Sequence, residues 1–139
     1  MAALIDTSAV LAAVDRADQA HDHVVSALEV ERSTIVLPIV VLPEVAFLLD
    51  RRHGAVAAAS VMDRLVRGPW PISGLEPGDL RRATELMTRY SDARIGFVDA
   101  AIAALAEHLA IVRIYTLDRR DFTMLRPRHA PAFEVLPTA

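Results

Sequence analysis

Four carboxylates in this chain are attached to apolar segments. Asp6 closes the run Ala2-Ala3-Leu4-Ile5 and is followed by Thr7-Ser8. Glu44 stands within Ile39 to Leu49, Asp99 opens the helix-like run to Ala103, and Asp118 follows Ile114-Tyr115-Thr116-Leu117. A carboxylate beside buried backbone needs a compensating partner or an edge position. Two carboxylates ~4 Å apart repel by about 4 kcal/mol at an effective dielectric of ~20. If the four converge, they require a divalent cation or raised pKa values. Oxygen donors without cysteine or paired histidine suit Mg²⁺ or Mn²⁺ rather than zinc. Such a cation polarises a phosphoryl oxygen and activates bound water, which is the chemistry of a nuclease site. Singly, each acid has a plainer reading. Asp6 could cap a helix, Glu44 could be an exposed helix residue, Asp99 could complement a helix dipole, and Asp118 could be a turn residue.

What the chain lacks narrows the chemistry further. Its 139 residues include no cysteine, and all 15 residues of the Lys+Arg count are arginine. Disulfides, thiolate ligands and cysteine nucleophiles are excluded. So are a phosphate-binding P-loop lysine and Schiff-base chemistry. Arginine does not titrate, but it grips phosphate with a planar fork. The net charge of −3 argues weakly against a large nucleic-acid surface. Arg113, Arg119, Arg120, Arg126 and Arg128 nevertheless cluster late in the chain, where a small basic rim beside an acidic pocket could hold a phosphodiester chain. No stretch is long and charge-free enough to span a bilayer, and no secretory pattern opens the chain, so a cytoplasmic location is expected.

The elements that must position the acids alternate between β-like runs and helical periodicity, which predicts a parallel sheet flanked by helices in one domain, residues 1–139. Residues 2–5 read as a buried first strand, and a helix starts at Ser8, which can cap it. A second helix covers about Gln19 to Glu31, with Val24, Val25 and Leu28 inward. Thr34–Leu37 is a second strand, ended by Pro38. The Glu44 helix begins near Val41 or Leu42, which leaves Pro43 in its first turn, and ends before Gly54. Ala55 to Val66 forms another helix, and Pro71–Ser73 a short edge strand. Pro77 to Tyr90 is helical, with Leu80, Ala83, Leu86 and Met87 at core spacing. After a loop from Ser91 to Gly96, the Asp99 helix runs to about Ala110 with Val98, Ile102, Leu105 and Leu109 on one stripe. Val112–Leu117 and Phe133–Leu136 are the last strands. In open parallel sheets, ligands collect at the carboxyl ends of strands. Asp6 and Asp118 lie just past such ends, and Glu44 and Asp99 lie in first turns of helices that can point to the same edge.

The ordered set of segments carrying these acids resembles the PIN-domain ribonucleases of the VapC toxin type. The matching pieces are Leu4-Ile5-Asp6-Thr7-Ser8-Ala9, Val41-Leu42-Pro43-Glu44-Val45, Tyr90-Ser91-Asp92 leading to Gly96-Phe97-Val98-Asp99-Ala100, and Thr116-Leu117-Asp118-Arg119-Arg120-Asp121-Phe122. The resemblance covers nearly the whole chain. It implies a three-layer α/β/α fold and Mg²⁺- or Mn²⁺-dependent hydrolysis of RNA. It also implies a homodimer and a small VapB-type antitoxin partner. Carried over residue by residue, Asp6 and Asp99 are the expected metal ligands, and Glu44 and Asp118 complete the acidic pocket. A hydroxyl of Ser8 or Thr116 supports them. Asp92 ranks below the four, and Asp121 reads as a turn or structural residue. Transfer RNA, ribosomal RNA and messenger RNA are all open as substrates.

The remaining features carry less. His21 and His23 fall on different helix faces and read as surface residues, while His53, His108 and His129 show no obvious partner. Trp70, between two prolines, reads as a packing anchor. A haloacid-dehalogenase-type phosphatase would need an aspartate where Ser8 stands, and a lysine. A response-regulator receiver fails on the same lysine. The alternative from a different class is an inactive PIN-fold RNA-binding or scaffold protein, against which the complete acid set argues.

Overall fold

A computed structural model describes residues 1–138, so the last residue of the 1–139 domain lies outside the described residues. The elements run β1 (Ala2–Ile5), α1 (Thr7–Val14), α2 (His21–Glu29), β2 (Thr34–Pro38), α3 (Leu42–His53), α4 (Ala55–Arg67) and β3 (Ile72–Ser73). They continue with α5 (Pro77–Arg89), α6 (Phe97–Leu109), β4 (Arg113–Tyr115), α7 (Arg119–Met124) and β5 (Glu134–Leu136). Single 3₁₀ turns at Ile39–Val41 and Ser91–Ala93 lead into α3 and α6.

The five strands form one sheet in the order β3-β2-β1-β4-β5, and every neighbouring pair is parallel. The chain steps outward from β1 to β2 and β3, then returns to add β4 and β5 on the other side of β1. With right-handed crossovers, the two directions of travel place α1 to α4 on one face and α5 to α7 on the other. The two groups pack accordingly, α1 on α2 and α3, and α6 on α5 and α7. The reversal between β1 and β4 opens a crevice at their carboxyl ends. Ile5 is in register with Tyr115, and the Asp6 N–H donates to the Tyr115 carbonyl at 2.8 Å, so both strands end at one level.

The core explains why α6 is held so firmly. Every residue from Ala100 to Ala106 is buried, which fits its near-continuous apolar sequence rather than a single stripe. Its alanines allow close approach to its neighbours, α5 above all. The last turn is different, because Leu109, expected on the inner stripe, is 40% exposed. Leu80 likewise faces solvent, while the neighbouring Asp79 is buried. Asp79 accepts from the Glu76 N–H at 2.9 Å, closing a capping box at the head of α5, and also faces His108 Nδ1 at 3.0 Å. Ala83 and Leu86 are buried as the spacing predicts, so the departure is confined to the first turn, where Asp79 takes the inward position in place of Leu80.

Several element limits differ from the sequence-based expectation. α1 begins at Thr7 and is capped by Asp6 rather than by Ser8. α2 is shorter at both ends, and β4 covers only Arg113–Tyr115. α6 starts at Phe97, so Asp99 is its third residue rather than its first. α7 was not expected at all. Gly54 has φ +90°, which lets one residue end α3 and start α4. Trp70 is partly buried against the core, as a packing anchor would be.

Candidate active site

The crevice between β1 and β4 gathers the acids. Asp6 is 4% exposed, and both its oxygens are held. Oδ1 accepts from the Thr7 N–H at 2.7 Å, and Oδ2 accepts from the Thr116 hydroxyl at 2.8 Å. Thr116 is itself fully buried, and its Oγ1 accepts from the Asp118 N–H at 2.9 Å. Ser8 Oγ accepts from the Leu117 N–H at 2.9 Å. The two hydroxyls that were expected to support the site therefore clasp the end of β1 to the end of β4. They fix the backbone around Asp6 and Asp118.

Asp99, from the first turn of α6, reaches the same place. Asp99, Asp118 and Asp121 each offer an oxygen, and these three oxygens lie within 4.8 Å of one another. Asp121 is the correction here. It is 8% exposed and faces the cluster instead of serving only as a turn residue. The reason is α7, which places Asp118 and Asp121 three residues apart at its head, on one side. The Asp-x-x-Asp spacing was the available sequence signal, and the unrecognised helix hid it. Glu44 is placed differently. It is exposed, in the first turn of α3, and lines the lip of the cleft instead of joining the tight group. Asp92 is exposed and outside the cleft lining.

The electrostatics follow from burial without cations. Desolvation is the largest effect on Asp6, and the Glu44 and Asp118 charges add to it. The hydrogen bonds from Thr116 and Thr7 only partly oppose these, so its pKa is pushed up to about 6. Asp99 is raised well above the usual carboxylate range, first by burial and then by the charges of Asp6, Asp118 and Asp121. Asp118 is raised by burial and by Asp121. Among the described residues, no arginine or histidine forms an ion pair with Asp6, Asp99 or Asp118. Arg120 pairs with Asp121 at 3.0 Å, from a side chain that is 61% exposed. The donor set is wholly oxygen, and the buried Thr7 hydroxyl, which lines the same cleft, has no hydrogen-bond partner. Converging carboxylates with raised pKa values and no paired cation, in a cleft with an unsatisfied hydroxyl, fit a hard divalent cation.

The histidines prove less free than their sequence context suggested. His53 pairs with Asp15 at 3.1 Å, His108 with Asp79, and His129 Nε2 lies 2.7 Å from the Ile111 carbonyl. His21 Nδ1 sits 2.7 Å from the Ala12 carbonyl and is half-buried, so only His23 is a plain surface residue. None of them faces the acidic cleft.

Comparison with known proteins agrees with this geometry. The PIN domain family matches residues 3–126. Ribonuclease VapC26 of Mycobacterium tuberculosis is 35% identical over 134 residues, covering 96% of this chain and 99% of that protein. Among solved structures, the M. tuberculosis VapC20 toxin, described as cleaving the sarcin–ricin loop, superposes with a TM-score of 0.78 at 22% identity. That match covers 86% of this chain and 92% of the other. A DNA-bound VapBC2 complex of Rickettsia felis gives 0.72 at 18% identity, over 99% and 100% of the two chains. These structural likenesses speak for the fold. With the family match, the relative's identity and the acid-lined crevice between β1 and β4, the chain belongs to the PIN-domain family, among its VapC-type members.

Proposed function

We propose that this chain is a metal-dependent endoribonuclease, the toxin half of a VapBC-type pair. The observation that carries the reading is the convergence of buried Asp6 with half-buried Asp99 and Asp118 in one crevice, with no cationic side chain paired to any of them. A structural role would have been served by arginine, which this chain uses freely elsewhere.

Asp6, Asp99 and Asp118 would hold Mg²⁺ or Mn²⁺, with Asp121 beside them and Glu44 at the lip acting directly or through water. When bound, the cation supplies Lewis acidity and an activated water. The chain's own residues do the rest. Thr116 and the Thr7 N–H hold the Asp6 oxygens in one orientation, so no reorganisation is needed on binding. The Ser8–Leu117 contact keeps Asp118 aimed inward. Glu44 or Asp118 would orient the attacking water and take its proton. Attack on phosphorus in line with the 3′ oxygen breaks that P–O bond, and the 3′ oxygen leaves. The activity unit is the single domain 1–139, acting as a homodimer in the cytoplasm. A VapB-type antitoxin inserting a basic side chain would supply the charge that the cleft lacks.

The test is direct. Purified protein incubated with RNA in Mg²⁺ or Mn²⁺ should cut it, and excess EDTA should stop cleavage. Cleavage that persists in EDTA would defeat the reading. Sequencing of RNA 5′ ends after brief induction would identify which RNA is cut.

A further inference from the structure

A phosphodiester chain must approach a cleft lined with acids on a protein whose net charge is already −3. Some local positive surface has to offset that repulsion. The five arginines suggested by sequence supply little of it. Arg113 is half-buried and pairs with Glu31 and Glu134. Arg119 spends its guanidinium on the Val135 and Pro137 carbonyls, and Arg128 pairs with Glu85. That leaves Arg126, with Arg120 only a link to the cleft, since its guanidinium is engaged by Asp121 and the Ala93 carbonyl.

The fold adds two others to them. Arg120 Nη2 donates to the Ala93 carbonyl at 2.9 Å, which sets it beside Arg94. The Arg126 N–H donates to the Tyr90 hydroxyl at 3.0 Å, which sets that residue beside the end of α5, where Arg89 stands. Arg89, Arg94 and Arg126 are exposed, and among the described residues none has a carboxylate partner. Glu85, one turn before Arg89, is held by Arg82 and Arg128 instead. Arg94 has φ +56°, a left-handed conformation that a side-chain-bearing residue adopts at a cost. The acids on this ridge are Asp92, which is exposed, and Asp121 at its cleft end. Arg120 and Asp121 neutralise one another, so Arg89, Arg94 and Arg126 against Asp92 leave a local excess of positive charge beside the cleft.

We infer that Arg94, Arg89 and Arg126 form a track for the phosphodiester backbone of the RNA on one side of the acidic cleft, gripping nucleotides outside the one cut. This rests on the ribonuclease reading above. Exposed guanidiniums recognise phosphate and carry no base code. Tyr90, the aromatic ring on the ridge, is half-buried with its hydroxyl occupied. The track therefore sets affinity and strand direction, while selectivity for a sequence lies elsewhere.

The test compares wild-type protein with the triple variant R89Q/R94Q/R126Q, which leaves Arg120 and its contacts intact. A control, R16Q/R32Q/R64Q, removes the same charge from exposed positions elsewhere on the surface. KM for a single-stranded RNA substrate is measured across salt concentrations. Binding of the same RNA is followed by fluorescence anisotropy on an Asp99→Asn background. Each phosphate contact on a single strand contributes ~0.7 to the salt slope, so the triple variant should lower the slope by about 2 and raise KM and Kd roughly ten-fold or more. The control should change neither. Unchanged slope and Kd in the triple variant, or an equal loss in the control, overturns the track. If the wild type fails to cut RNA but the triple variant still weakens binding, the track stands and the nuclease reading falls.

Discussion

Asp6 and Asp15 are separated by the length of α1, and both are buried, yet the protein treats them in opposite ways. Asp15 is 7% exposed, and burial alone would raise its pKa. His53, the Ala17 N–H and Arg52 overcome that, with Arg52 at 3.0 Å, and the carboxyl ends below its ordinary value. Glu107 follows the same pattern, since Arg82 reaches it at 2.8 Å and lowers it. Glu31, bonded by Tyr115, Ser33 and Arg113, falls to about 2. Asp6, buried, and Asp99 and Asp118, half-buried, lose hydration too but have no cation beside them, and all three are raised. The chain can neutralise a buried acid with arginine and does so at each of those places. Leaving three unpaired at the β1–β4 crevice marks that charge as reserved for something that comes and goes.

The largest effect should come from erasing one member of each class. Asp99→Asn is expected to cut RNA cleavage roughly a thousand-fold while leaving the melting temperature equal or higher, because repulsion is relieved. Arg82→Ala should do the reverse. It leaves Glu107 buried without its partner, which costs about 2 kcal/mol by thermal denaturation, and kcat should stay near wild type. A matching loss of activity and stability in both variants would erase the distinction between the two classes.

Asp121 tests where the boundary of the reserved group lies. It is buried with the unpaired acids but touches Arg120. Asp121→Asn should lower cleavage roughly 10- to 100-fold, with the deficit shrinking as Mn²⁺ is raised. Full activity at limiting Mn²⁺ would return it to a structural role.

The smallest effect is on stability against pH. Asp6 and Asp99 have folded pKa values above their unfolded ones, so the native state binds more protons, and cation-free protein loses stability as pH rises through about 4 to 6 and beyond. In EDTA the melting temperature should fall between pH 5 and 7.5, and Mg²⁺ or Mn²⁺ should restore it. His108, raised by Asp79, loses its own contribution only as pH rises above its ordinary value of 6.5, and a cation does not return that part. Glu31 works in the other direction, with stability lost only as pH falls through about 4 to 2. A melting curve that rises with pH in EDTA would contradict the unpaired state of the site.

Much of the arrangement could be read from residue order because local cues were strong. Apolar runs ending in Asp6 and Asp118 marked strand ends, and the alternation of strands with periodic segments implied a parallel sheet. Pro43 and Gly54 bracketed α3 closely. What escaped was set by distant contacts. α7 is six residues long, too short for periodicity to declare it. Without it, Asp121 looked like a turn residue. Asp79 is buried where it closes the cap of α5 and meets His108, far along the chain, while Leu80 beside it is exposed. The histidine partners and the pairing of Arg113 and Arg128 are likewise tertiary.

α6 sets a limit on how this molecule can be silenced. A rod with seven successive buried residues has no hinge, and its amides should be among the last to exchange with deuterium. Asp99 rides on that rod's first turn. Shifting it would require opening most of the interior, so an inhibitor gains little by bending the blade and must instead sheathe it.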